Sequence, residues 1–385
     1  MRVFLEESAI SLYLSNKNKL IFSSNKRCFF DKIALTKQIK NWDNTLHWIQ
    51  PFYAIKANPS NEMINTIIDP EINLNNEIGF DSASVGELQL ALKYTKLNKN
   101  IIYTNPHIIP HEKSSMSELL PKINVKVVDN LCELKKIIEY EIKTEILIRL
   151  ISNIYNANVQ FDTKFGCTIE EAFEIIKYAE KHNTKIKGIS FHIGSGGEFS
   201  RKDAYKMAIQ YAEPVLKYLE VALQHEKPIL DIGGGLLYNT NLEEALGWTK
   251  DFSEKYTMIS ELGRYYAEPS YHLAVQVIGQ TKRGIYLDNG LYHELNVYNW
   301  EKWRLPKLTH YYDTNSESIE EVKDLNKTKI FGPTCDSMDT INECDFPSEF
   351  EIGDWIFLHN MGAYTSAAKV DFNGIKGASN NICYL

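Results

Sequence analysis

The sequence predicts an α/β chain, a parallel (β/α)8 barrel joined to a second, mostly antiparallel β domain. Three observations predict it. Short β-branched runs alternate with longer amphipathic stretches from about Phe30 to Glu268, polar residues and glycines gather at the ends of those runs, and after about Ser270 the long amphipathic stretches stop. The expected barrel covers residues 28–270, and 1–27 with 271–385 form the β domain.

The barrel strands read in order as "PFYAIKAN", "GFDSA", "NIIYTN", "VKVVD", "EILIRL", "KGISFHIGS", "PILDIGGG" and "TMISELG". Between them "VGELQLALKYTK", "LCELKKIIEY", "IEEAFEIIKYAEKH" and "DAYKMAIQYAEPVLKYLEVALQH" place apolar residues at spacings of three and four, the mark of a helix with one buried face. Eight such repeats in this length suit a closed barrel better than an open doubly wound sheet, which the pattern alone leaves open. Beyond Ser270, "YHLAVQVIGQTK", "GIYLDNG" and "DWIFLHN" alternate as half-buried strands do.

Composition narrows the function. A chain of 385 residues, 44% hydrophobic and 24% charged, is that of a globular protein, and its net charge of -8 argues against nucleic acid or an anionic membrane as partner. Small-molecule ligands are expected. Cys28, Cys132, Cys167, Cys335, Cys344 and Cys383 show neither a CxxC pair nor a regular spacing, so no metal site or disulfide framework is expected and the compartment reads as reducing. The opening "MRVFLEESAI" lacks a basic start with an apolar core, and no apolar run approaches membrane-spanning length. A cytoplasmic protein is the expectation.

Candidate chemistry sits at the strand ends, the face on which such barrels build their sites. Lys56 closes an apolar run just before Asn58 and Pro59, and a lysine there needs a partner or a purpose. Gly233, Gly234 and Gly235 follow a strand directly, and successive glycines let backbone N–H groups converge on an anion such as a phosphate. "SELGRYYAEPS" supplies Glu261 and Arg264, and "FHIGSGG" supplies His192 and Ser195. The bland alternatives are a snorkelling lysine, a flexible turn and a structural histidine. Together, an amine, a phosphate nest, an acid for a ring nitrogen and an imidazole for a ring face describe a site for pyridoxal 5'-phosphate.

These stretches, with "TKFG", "ELGRYY", "FGPTCDSMD", "NMGAYT" and "FNG" in the same order, resemble the ornithine/lysine/arginine decarboxylase family of fold-type III pyridoxal phosphate enzymes over nearly the whole chain. The fold implied is the alanine racemase-like pairing of a barrel with a β domain. The resemblance implies that Lys56 bonds the cofactor, that Glu261 pairs with its ring nitrogen and that His192 stacks on the ring, with Asp81, Glu87 and Arg149 shaping the surroundings. It also implies that Ser195, Gly233, Gly234, Gly235, Arg264 and Tyr364 hold the phosphate. A homodimer with shared active sites is implied too. Cys335 of one subunit would protonate the product in the other's site, Asp336 would meet the substrate, and Lys164 would pair with the partner's Asp339.

Four departures bear on the substrate or the site. Leu262 stands where proline is usual and could loosen the turn holding Glu261, Ser82 replaces a common cysteine, and His359 replaces a common acid, altering charge near the phosphate edge. In "LYHELNVYNWEKWRLP", Glu301 takes the place of the usual aspartate, followed by Lys302 and Arg304. Glu301 with Asp336 suits a distal ammonium, as on free ornithine, lysine or arginine on the way to polyamines. His293, Lys302 and Arg304 would instead suit a distal acid, as on the citryl-ornithine conjugates of carboxylate siderophore synthesis. They could equally be a solvated face. Non-catalytic homologues that act as regulatory binding proteins form a further alternative, opposed here by the presence of Lys56 and the phosphate set. Alanine racemase and diaminopimelate decarboxylase share the fold but fit "GPTCDSMD" less well.

Overall fold

The structure is a computed structural model that describes all residues except 21, 24, 73, 96–99, 153–161, 196–198, 224–226, 301–304 and 349, and the side chains of 223, 300 and 342. The chain divides into two compact units, Thr36–Tyr266 and Met1–Leu35 with Ala267–Leu385. The expected boundary at 28 moves because Cys28–Phe30 is a strand paired with Tyr271–Thr281, which assigns it to the second unit.

Strands are numbered in chain order, β1 (Arg2–Leu5) and β2 (Cys28–Phe30) lying in the second unit. The first unit holds β3 (Ile49–Ala54), β4 (Gly79–Ser82), β5 (Ile101–Tyr103), β6 (Val125–Val128), β7 (Ile146–Arg149), β8 (Ile186–Ser190), β9 (Ile229–Asp231) and β10 (Thr257–Leu262). These eight are the expected strands. They form a closed barrel in sequence order, and β10 pairs in parallel with β3 to shut it.

The four expected helices span Val85–Tyr94, Leu131–Glu139, Ile169–Lys181 and Arg201–Leu223. Three begin at a polar side chain that accepts an otherwise orphaned N–H: Ser84 from Glu87, Asn130 from Glu133, and Thr168 from Glu171 in a reciprocal capping box. Phe52, Ile102, Val125, Val127, Leu147, Ile229 and Ile259 fill the barrel interior with one apolar cluster. Two glycines make that packing possible. A Cβ on Gly79 would meet the Phe52 ring at 2.5 Å, and one on Gly188 would stand 2.0 Å from the Ile229 carbonyl oxygen.

The second unit continues with β11 (Tyr271–Thr281), β12 (Gly284–Leu287), β13 (His310–Asp313), β14 (Ser318–Glu321), β15 (Leu325–Phe331), β16 (Thr340–Pro347), β17 (Trp355–Leu358) and β18 (Ile382–Tyr384). Their order is β14-β13-β1-β17-β11-β12-β15-β16, with β2 branching from β11 and carrying β18. Most pairings are antiparallel, as expected; β1–β17, β12–β15 and β2–β18 are parallel. Its core joins Val3, Leu5, Tyr13, Phe29, Trp355 and Phe357. Among the described residues no helix is long and apolar enough to cross a membrane.

Candidate active site

Each barrel strand delivers its last residues to one mouth, and the polar residues expected there are the ones that meet. Lys56 follows β3 in a short 3-10 turn, half exposed, with its Nζ 2.9 Å from Oδ2 of the fully buried Asp81 on β4. Thr104, just past β5, donates its hydroxyl to the other Asp81 oxygen. A buried carboxylate with a cation on one oxygen and a hydroxyl on the other is fully satisfied, which fixes where the lysine points. Glu87, three residues into its helix, turns back to accept from the Ala83 N–H at 2.7 Å. Burial pushes the Glu87 carboxyl up, with that N–H opposing and Asp81 adding to the rise.

His192 follows β8, and its Nδ1 accepts from the Gly194 N–H at 3.0 Å, so a neutral ring carries its proton on Nε2. Burial, then the nearby Arg149, Lys56 and Arg201 cations, hold its pKa well below the ordinary histidine value. Arg149 ends β7 with its guanidinium over the Phe165 ring.

The glycine turn after β9 is clamped by its carbonyls. Gly233 O accepts from Ser260 Oγ at 2.7 Å and from Glu261 N at 2.9 Å, Gly234 O from the buried Tyr205 hydroxyl at 2.9 Å, and Gly235 O from Arg201 Nη1 at 3.3 Å. The Gly233 N–H is taken by Asp231 Oδ1 at 2.9 Å. The N–H groups of Gly234 and Gly235 find no acceptor among the described residues, as an anion cradle requires. No larger residue fits there. A Cβ on Gly234 would come within 2.5 Å of the Glu261 carbonyl oxygen, and Gly233 and Gly235 sit at φ +63 and +105.

Glu261 lies on β10, 8% exposed, and its carboxyl is raised first by burial and then by Asp81, against the lowering pull of Lys56 and Arg149. Leu262, in place of the usual proline, is buried in β10 in register with Tyr53 of β3. Ser82 is fully buried at the end of β4. Arg264 is buried just beyond β10, and Ser195 is partly buried beyond His192.

The remaining candidates belong to the second unit. Cys335 is exposed, its N–H bonded to Asn373 Oδ1 at 3.0 Å, and the next residue, Asp336, accepts from the Met338 N–H at 3.0 Å and from the Tyr292 hydroxyl. Those two donors, the backbone N–H first, hold the Asp336 carboxyl below its ordinary value. Tyr364 takes φ +59, unusual for a side chain of its size.

Three of the residues singled out in the sequence have partners within the chain. Asp339 is 2% exposed and accepts from Leu291 N, Thr334 N and Thr334 Oγ1 of its own chain. His293 is fully buried with Nε2 3.1 Å from the Ile375 carbonyl oxygen. His359 Nδ1 lies 2.6 Å from Glu6 Oε1 inside the β unit. Glu301, Lys302 and Arg304 lie outside the described residues.

Sequence reasoning passed over Thr104, Asp231, Arg201 and Tyr205. Asp231 could have been found, since it is an acid at a strand end touching the glycine run. Arg201 and Tyr205 act from a helix whose sequence gives no sign of it.

An amine held at one side of the mouth, an anion cradle on another strand end and a buried carboxyl near both suit a ring aldehyde with a phosphate arm. The family model described as the pyridoxal binding domain of pyridoxal-dependent decarboxylases matches residues 33–277. The ornithine decarboxylase of Schizosaccharomyces pombe is 31% identical over 92% of this chain and 82% of its own. The crystal structure of lysine/ornithine decarboxylase from Vibrio vulnificus, complexed with putrescine, superposes with a TM-score of 0.76 at 28% identity, covering 99% of each chain. The arginine decarboxylase of Paramecium bursaria Chlorella virus shares the fold at a TM-score of 0.81 and 24% identity, over 98% of this chain and 99% of its own. The chain belongs to the pyridoxal-dependent decarboxylase family. It is an amino-acid decarboxylase, and its cofactor is pyridoxal 5'-phosphate.

Proposed function

We propose that this decarboxylase acts on a free basic amino acid of the ornithine type and releases carbon dioxide and the corresponding diamine. The observation that carries the reading is Asp336: a carboxylate held in its ionised form by Met338 N–H and the Tyr292 hydroxyl, one residue from an exposed cysteine. Such a carboxylate suits a distal ammonium. The relatives named for ornithine and lysine support the same class. A conjugate ending in an acid would need cations; His293 is buried, and Lys302 and Arg304 lie outside the described residues, so no observation favours that reading.

In this reading pyridoxal phosphate, bound at Lys56, supplies a sink for the electron pair left when the Cα–carboxylate bond breaks. Gly233, Gly234 and Gly235, with Ser195, Arg264 and Tyr364, hold the phosphate. Glu261 would face the ring nitrogen and His192 would cover one ring face as a neutral imidazole. Asp81 holds the Lys56 amine, and Glu87 and Arg149 set the charge around it. Cys335, supplied by a second copy in a homodimer, gives its Sγ proton to Cα and so completes the exchange of carbon dioxide for a proton. A cytoplasmic setting accords with the scattered cysteines.

Asp336→Asn tests the substrate class. It should raise KM for the best substrate at least about tenfold, whereas Lys302→Ala and Arg304→Ala should leave the kinetics near wild type. A best substrate with a distal carboxylate, lost on Arg304→Ala, would overturn the proposal.

A further inference from the structure

We propose that Asp231 is a positioning residue that stays protonated and donates through Oδ2 to the Glu261 carboxylate, tying the phosphate cradle to the acid that faces the ring nitrogen. The inference rests on the pyridoxal phosphate reading of the site, but its protonation claim concerns this chain alone.

The placement follows from strand register. Asp231 ends β9 opposite Ile259 of β10, and Ile229 and Ile259 both belong to the apolar cluster inside the barrel. Side chains two apart share a face, so Asp231, two beyond Ile229, and Glu261, two beyond Ile259, both point inward above that cluster. The two carboxyls meet there.

Asp231 is fully buried, and its Oδ1 is used by the Gly233 N–H at 2.9 Å. Its Oδ2 has no donor among the described residues. Two ionised carboxylates side by side, sheltered from water, repel strongly, so the pair keeps one proton. Surroundings assign it. Lys56 and Arg149 favour the anion on Glu261, while Asp81 opposes ionisation of both members. Among the described residues Asp231 has only the Gly233 backbone N–H in its favour, and burial, then Glu261, push its pKa well above the carboxylate range. With the proton on Oδ2, an acceptor lacking a donor becomes a donor facing an acceptor. Glu261 is then ionised and fixed through one oxygen, leaving the other for the ring N–H.

One residue thus holds both ends of the cofactor site. Gly233 N–H binds one Asp231 oxygen and Glu261 binds the other, so a shift of the glycine turn would be felt at the ring nitrogen.

The test is an infrared difference spectrum of the cofactor-free protein at neutral pH, wild type against Asp231→Asn. The carbonyl stretch of a buried carboxylic acid should be present in the wild type and absent in the variant. Asparagine can still accept from Gly233 and donate to Glu261, so Asp231→Asn should keep pyridoxal phosphate affinity within about threefold, while Asp231→Ala should lose at least about tenfold. A wild type without that band, or a band that survives Asp231→Asn, overturns the proposal even if Asp231→Ala fails to fold. Failure of the decarboxylase reading would show separately, as no carbon dioxide release from any amino acid with the band intact.

Discussion

At the scale of single residues, the site's charges make separate demands. Lys56→Ala takes the cation from the buried Asp81 and should lower stability, and the folded variant should lose the absorbance of lysine-bound pyridoxal phosphate. A band that persists would move the attachment point elsewhere. His192 is held neutral because burial and three cations depress its pKa. The unfolded ring takes up a proton below about pH 6.5 and the folded ring does not, so its contribution to stability is full above that pH and fades as the pH falls. The C2–H resonance of His192 should therefore stay fixed between pH 6 and 8 while exposed histidines titrate. Lys56, Glu261 and the glycine run were legible because each breaks a local rule: a charge after an apolar run, an acid ending a buried strand, three residues without side chains. The burial of Asp339 and His293 was not legible because it arises in part from contacts tens of residues away, with Leu291 in one case and Ile375 in the other.

At the scale of elements, the barrel strands were readable because a parallel strand covered on both faces reads as a short, mostly apolar run rich in Val and Ile, and "VKVV" and "ILIR" are such runs. The edge of the β sheet was not. "SIEE", the edge strand β14, is polar and only partly covered, so nothing in its composition separates it from a loop. Gly188 sets a limit on the barrel. Gly188→Ala would press a methyl into the β9 backbone, and a loss of about 1–3 kcal/mol or more is expected in thermal unfolding. In the other unit Glu294, 2% exposed, accepts from Asn289 Nδ2, Ala378 N, Ser379 N and Ser379 Oγ. Burial opposes its ionisation, but these donors outweigh burial and lower its pKa, so its stabilisation is present above about pH 4.3 and lost as the pH falls through the lower folded value. Glu294→Ala should expose the segment around Ala378 to limited proteolysis at neutral pH.

At the scale of the whole molecule, Lys56 and Cys335 lie in different compact units, and the proposal gives them to one site through a second copy of the chain. Mixing Lys56→Ala with Cys335→Ala subunits should restore up to about a quarter of wild-type activity, since random pairing yields one intact site in half of the dimers. No recovery after proven subunit exchange would place both residues in sites built from one chain. The central claim, decarboxylation of a free basic amino acid, is tested most directly by carbon dioxide release from the purified holoenzyme over ornithine, lysine, arginine and ornithine conjugates bearing a distal acid. The account predicts the highest kcat/KM on a free diamino acid and its loss on Asp336→Asn; highest activity on an acidic conjugate, unaffected by Asp336→Asn, would contradict it.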